Sequence, residues 1–188
     1  MNSLSPVSSG TWDVSAVASL LEEATTESGS RLVDLVEAFP VLLVFLRHSG
    51  CTFCREAVAD IASKRAEIES SGTHIVLVHM GDRVGIEELV AKHGLSDLDR
   101  ICDSRQELYR AFGLKKGRWT QLFGWKVWVR GLIAGVIRGH GLGRAAADPT
   151  QMPGVFFLDR GMVASAFRHR SAADRPCYTE LCRDREEQ

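Results

Sequence analysis

An unbroken apolar run, Val41-Leu42-Leu43-Val44-Phe45-Leu46, constrains this chain more than any other feature. Six apolar residues in succession suit a strand covered on both faces, as in a sheet held between layers of helices. After a short turn comes a stretch from Arg55 to Ile68 free of proline and glycine, with Val58, Ile61 and Ala62 recurring at helical spacing. Ile75 to Met80 reads as a second buried strand. Asp82 then caps a helix carrying Val84, Ile86, Leu89 and Val90, stopped at Gly94. A strand-helix-strand-helix beginning of this kind predicts an α/β fold.

The rest of the chain extends that order. Residues 1 to 10 are Ser-rich and read as a loose tail, and Asp13 caps a short helix with Val14, Val17, Leu20 and Leu21. The segment from Leu32 to Val36, just ahead of Pro40, fits a strand or a helix equally well. A short strand near Asp99 to Cys102 leads to Ser104-Arg105-Gln106-Glu107, a capping box opening a helix with Leu108 and Phe112. Gly154 to Leu158 and Met162 to Phe167 form a hairpin through Asp159-Arg160-Gly161. Ser171-Ala172-Ala173-Asp174 is a second capping box, with Pro176 in the first turn of a last helix. The expected architecture is a mixed central sheet with helices on both faces, in which residues 1–29 are a tail and short helix and residues 30–188 are the domain.

Cys51-Thr52-Phe53-Cys54 sits on the turn between the first strand and its helix. A helix start carries partial positive charge, which stabilises a thiolate and lowers a thiol pKa, and Arg47 and Arg55 flank the pair. Two thiols so spaced can close into a disulfide and reopen, the cycle of a dithiol redox site. A structural zinc site normally needs a second ligand pair at short spacing. The remaining cysteines, Cys102, Cys177 and Cys182, supply no second CxxC, and the six histidines show no metal-ligand spacing, so no metal is expected. Cys102 reads as a small buried residue, and Cys177 and Cys182 lie five apart on different helix faces.

Composition narrows the setting. A net charge of -1 gives no global field for nucleic acid or an anionic membrane. Met1 to Pro6 lacks a basic start and an apolar core, so no signal peptide is expected. The odd number of cysteines, 5, then points to a reducing, cytoplasmic compartment. An insertion from Lys115 to Arg144 carries Leu122, Trp125, Val129, Leu132 and Val136 at helical spacing among several basic residues. It reads as a helical cover that packs Trp125 and Trp128 on the sheet rather than as a membrane-surface helix.

Four segments resemble a known family. They are Val44 to Glu56 around the CxxC, Leu108 to Leu114, Gln151 to Asp159 and Ser171 to Pro176. Together they look like the thioredoxin fold, and within it the peroxiredoxin-like AhpC/TSA group that carries a CxxC. The resemblance implies a three-layer α/β/α sandwich with the helical insertion placed before the last hairpin. Typical peroxiredoxins carry Pro-x-x-x-Thr-x-x-Cys, and aligned on Cys54 this chain has Arg47 for the proline and Cys51 for the threonine. Where that family places an arginine before a late strand, this chain has Pro153. A proline there resembles thioredoxins, in which a cis proline faces the CxxC, so the resemblance implies a cis Met152–Pro153 bond and disulfide exchange.

The resemblance further implies a thiol–disulfide oxidoreductase, an antioxidant redox protein in which Cys51 attacks and Cys54 resolves. Its first rival is a peroxidase with Cys54 peroxidatic and Cys51 resolving. Its second is a non-catalytic binding module. Thr52, Phe53, His48, Arg55 and Pro153 are the candidate substrate-positioning residues. No cofactor is expected beyond a Cys51–Cys54 disulfide. Expected partners are a protein or low-molecular-weight disulfide or a hydroperoxide, and a reductant such as thioredoxin or glutathione, with no nucleic acid or membrane.

Overall fold

The computed structural model describes residues 14–81, 83–116, 150–169 and 174–183. The apolar run forms β1 (Val41–Phe45), buried at every position. Leu42 and Val44 point into one hydrophobic cluster, while Val41, Leu43 and Phe45 point into another. Both faces of this strand are therefore core, as its composition demands. β2 (His74–His79) runs parallel to β1, and β3 (Asp99–Cys102) runs parallel to β2. β4 (Gly154–Asp159) pairs antiparallel with the other side of β1, and β5 (Met162–Arg168) closes the sheet beside it. The spatial order is β3-β2-β1-β4-β5.

Helices cover both faces. The long α3 (Thr52–Ser70) and α4 (Arg83–Lys92) lie over one cluster, joined by α6 (Tyr178–Arg183) through Tyr178, Leu181 and Cys182. The other face takes α1 (Val14–Glu23), α2 (Leu32–Ala38) and α5 (Glu107–Ala111), around Phe45, Tyr109, Phe112 and Phe156. Edge-on and tilted rings with centroids 4.8–5.5 Å apart fill that side. This is a three-layer α/β/α sandwich of thioredoxin type with a mixed sheet. The ambiguous segment before Pro40 is helix α2. Its Leu32 and Val36, four apart, are buried on one side, and so are Val17 and Leu21 of α1, which makes the first helix part of the core.

Local chemistry sets the turns. Arg160 and Gly161 both take positive φ, 51° and 74°, between the paired Asp159 and Met162, the two-residue connection whose twist matches a hairpin. Gly154 opens β4 where a Cβ would lie 2.5 Å from Leu114 Cδ2, so any larger residue would have to displace the Leu114 side chain. The start of α5 departs from the expected capping box. Asp103, not Ser104, accepts the Glu107 amide at 2.9 Å and the Tyr109 amide at 3.3 Å. An aspartate closing the strand reaches the free amides directly. Pro176 precedes the last helix instead of entering its first turn. The caps proposed at Asp13, Asp82 and Ser171, and the insertion beyond residue 116, lie outside the described residues.

Candidate active site

The backbone at the carboxyl end of β1 is pinned before it turns. Leu46 N donates to Val78 O at 2.9 Å, and the buried Tyr109 hydroxyl donates to Leu46 O and, at 3.1 Å, to Val78 O. The chain then folds back over residues 48–51, with Cys51 N donating to His48 O at 3.1 Å. Cys51 is extended (φ -78°, ψ 120°) and stands as N-cap of α3, and Arg55 N donates to its carbonyl at 3.1 Å to begin the helix. Cys54 falls one turn in, where the orphan amides and aligned dipoles of a 19-residue helix face it.

Both sulfurs are reduced and buried, Cys51 at 7% exposure and Cys54 at 3%. Arg47 addresses both: its amide donates to Cys54 Sγ at 3.2 Å, and its Nη1 points at Cys51 Sγ at 3.5 Å. The Cys51 thiol is pulled down to about 5 by the hydrogen bond from Cys54, against burial, with Arg47 next and His48 helping. Cys54 is pushed the other way by that shared hydrogen bond and by burial. The pair therefore shares its protons unequally, with its surroundings favouring the negative charge on Cys51 and opposing it on Cys54.

The proposed positioning residues divide. Thr52 and His48 are buried at the turn, and His48 lies close enough to favour the Cys51 thiolate. Phe53 packs against Met152 and faces a narrow pocket beside Cys54. Arg55 clamps the turn, its Nε donating to Ser49 O at 2.8 Å. Pro153 lines the same pocket as Cys54. Its peptide bond with Met152 is trans, like every bond in the described residues, which corrects the expected cis form.

The flanking contacts account for the trans bond. Met152 N donates to Lys115 O at 3.2 Å, and the buried Gln151 side chain donates to Leu114 O at 3.0 Å and to Met152 O at 3.3 Å. Pro153 O accepts from His169 Nδ1 at 3.1 Å. These bonds fit the isomer that X–Pro prefers by about 0.5–1 kcal/mol. They also occupy the backbone groups that a docking strand would use.

The far end of the chain supplies side chains to this site that sequence reasoning did not assign. Arg175 donates through Nε to Asp60 Oδ2 at 2.9 Å and through Nη2 to Asp60 Oδ1, and its Nη1 pairs with Glu56 Oε1 at 3.1 Å. Glu56, two residues after Cys54, is buried with 4% of its side chain exposed. Glu56 and Asp60 stand four apart on α3, so one guanidinium bridges both. The buried Tyr178, two residues past Pro176, completes that wall of the pocket. The one sequence signal is Asp174-Arg175-Pro176 itself, which reads as helix capping and as part of the family resemblance, with no site role attached.

Glu27, His79 and Cys102 also meet, with ligand-capable atoms within 4.8 Å of one another, across β2 and β3 and the loop before α2. His79 Nδ1 accepts from Gly81 N at 3.3 Å, so its Nε2 carries the proton and donates to Glu27 Oε1 at 3.2 Å. Burial holds this histidine below its ordinary pKa. Arg83 and Arg100 both face the Glu27 carboxylate at 3.3 Å. Two cations and a protonated Nε2 favour an ion-pair network over a bound metal ion. Cys102 is half-buried in that network beside Arg83, not a plain core residue as expected.

Comparison with known proteins places this geometry. Residues 60–173 match the profile of the AhpC/TSA antioxidant enzyme family; the match begins just past the CxxC. The prostamide/prostaglandin F synthase of Danio rerio is 27% identical over 172 residues, covering 87% of this chain and 83% of that one. The protein of the same name from Salmo salar is 32% identical over 98 residues, 52% of this chain but only 47% of its own length. Among solved structures, Xanthomonas campestris peroxiredoxin Q superposes with a TM-score of 0.57 at 16% identity, over 80% of this chain and 83% of that one. MTB dsbF gives 0.53 at 18% identity, over 89% and 94%. At these identities the two structures speak for the fold alone. Among the described residues no helix is long and apolar enough to cross a membrane.

Proposed function

This chain belongs to the AhpC/TSA antioxidant enzyme family, and we propose that it is a thiol-dependent oxidoreductase of peroxiredoxin type whose reaction runs through Cys51 as attacking thiolate and Cys54 as resolving thiol, on a low-molecular-weight substrate. The observation that carries this reading is the asymmetry of the pair. A thiolate attacks and a thiol does not, and the local hydrogen bonding and charge favour ionisation of Cys51 while opposing that of Cys54. The restriction to small substrates is supported by the burial of both sulfurs and by the hydrogen bonds already made by Met152, Pro153 and Gln151.

For a disulfide substrate, Cys51 sulfur bonds to one substrate sulfur, the S–S bond breaks, and the other half leaves as a thiolate. Cys54 gives up its proton and attacks Cys51, releasing the second half and leaving the Cys51–Cys54 disulfide. A hydroperoxide follows the same course. Cys51 takes the terminal oxygen as a sulfenic acid, the O–O bond breaks, and the alkoxide takes up a proton from solvent. Attack by Cys54 on that sulfur then expels water. An external thiol restores the dithiol in either case.

One observation favours the reverse assignment, with Cys54 meeting a peroxide first: the pocket is lined by Cys54, not by Cys51. Acidity outweighs position here, since the two sulfurs share a hydrogen bond and the thiolate is the form that attacks. Mass mapping after a stoichiometric dose of hydroxyethyl disulfide or tert-butyl hydroperoxide tests the cycle. The expected product is a single internal Cys51–Cys54 bond, reopened by dithiothreitol. Oxidation that leaves this pair reduced and appears at Cys102, Cys177 or Cys182 contradicts it.

A further inference from the structure

Five residues with charged side chains line the pocket beside Cys54: Glu56, Asp60 and Asp174, and Arg47 and Arg175. Carboxylates outnumber cations, and both cations are already engaged. Arg175 places all three of its nitrogens on Glu56 and Asp60. Arg47 is directed at the Cys51 sulfur. With all three nitrogens on carboxylates, the Arg175 guanidinium has no fork left for a substrate carboxylate. An entering anion meets, besides, the negative charge on Cys51 itself. The remaining surface is apolar, from Phe53, Ala57 and Val155, with the Tyr178 ring and the His169 imidazole as polar neighbours.

We infer that this pocket admits small, uncharged, partly apolar substrates and turns anionic ones away. The inference rests on the dithiol reading above and names the substrate class that reading leaves open. It separates, for instance, an uncharged dialkyl disulfide or alkyl hydroperoxide from a dicarboxylate disulfide of equal size. The compensated state of Arg175 is what sets the preference, so removing a carboxylate from its wall should weaken the discrimination.

Iodoacetamide and iodoacetate test this without any redox turnover. They match in size, differ by one charge, and each alkylates a thiolate by forming an S–C bond with loss of iodide. The measured quantity is the ratio of their rates at Cys51 of the intact protein, divided by the same ratio for N-acetylcysteinamide at equal pH and salt. The expected value is about tenfold or more in favour of iodoacetamide, from like-charge repulsion in a site of low dielectric. Glu56→Gln should bring the ratio back toward that of the free thiol. If that variant does not fold, Asp60→Asn removes the other carboxylate and should move the ratio the same way.

A wild-type ratio equal to that of the free thiol, or below it, overturns the inference. Turnover of hydroxyethyl disulfide against dithiodiglycolate, run in parallel, separates the two layers of the argument. Charge discrimination in alkylation without reduction of either disulfide defeats the dithiol reading and leaves the pocket's selectivity standing. Reduction of both disulfides at equal rates, with no discrimination in alkylation, defeats the selectivity alone. A Cys51 inert to both alkylating reagents defeats both.

Discussion

Replacing Cys54 by alanine removes the hydrogen bond that contributes most to the acidity of Cys51. A hydrogen bond to a charged group is worth about 1.5–3 kcal/mol, and about 1.36 kcal/mol corresponds to one pH unit. The Cys51 midpoint should therefore rise from about 5 to between about 6 and 7. Arg47 and the start of α3 remain in the variant, so the midpoint should stay below the ordinary thiol value of 9.0. The sign is fixed by which form the bond favours: the Cys54 thiol donates to a thiolate, so losing it disfavours ionisation. At pH 6 the thiolate fraction should fall from about nine-tenths to half or less. The rate of iodoacetamide alkylation at Cys51, followed by mass spectrometry from pH 4 to 10, reads this directly. Cys54→Ser keeps a hydroxyl donor and should fall between wild type and alanine. A Cys51 midpoint unmoved by Cys54→Ala, or a wild-type midpoint near 9.0, refutes the reasoning.

Other outcomes follow from the same contacts. Tyr109→Phe strips the donor from the carbonyls of Leu46 and Val78, leaving two buried acceptors less satisfied at a cost of about 1–3 kcal/mol, which thermal unfolding should show as a drop of several degrees. Gly154→Ala puts a methyl 2.5 Å from Leu114 Cδ2 and should cost about 1–3 kcal/mol in urea unfolding; a neutral result contradicts the packing. Arg175→Leu leaves Glu56 buried without its cation; since Arg175 is 35% exposed, the expected loss is about 1–3 kcal/mol, below that of a fully buried pair. Because Cys51 ionises at lower pH in the folded than in the unfolded chain, its thiolate adds stability that is fully present above the unfolded thiol value and is lost as pH falls through about 5. The stability gap between wild type and Cys51→Ser should thus widen as pH rises from 5 to 8, and a gap that narrows refutes the acidity.

What the sequence could show was whatever depended on neighbours in the chain. β1 was legible because six apolar residues in a row admit few structures, and the CxxC at its end because strand, turn and helix follow within a dozen residues. Asp103 displaced Ser104 as the cap of α5 because both types accept amide bonds and only the direction in which the strand delivers the chain decides between them. Arg47 and Arg55 flank the thiols alike in sequence, yet one reaches the Cys51 sulfur and the other clamps Ser49. The isomer of Met152–Pro153 was misjudged because resemblance supplied the cis form while contacts from Lys115, Leu114 and Gln151 accompany the trans one. Arg175 meets Glu56 and Asp60 across 115 or more positions, a pairing that no local pattern announces. The same holds for Glu27, His79 and Cys102, which meet only once β2 and β3 pair in register.

The division of labour between the two cysteines is the centre of this account, and trapping the first covalent adduct tests it most directly. Cys54→Ser cannot resolve, so treatment with hydroxyethyl disulfide at pH 7 should leave a stable mixed disulfide on Cys51, identified by peptide mass mapping. Cys51→Ser, treated in the same way, should remain unmodified at Cys54 over the same time. An adduct that accumulates on Cys54 in the second variant while Cys51 stays free in the first contradicts the assignment and makes Cys54 the nucleophile.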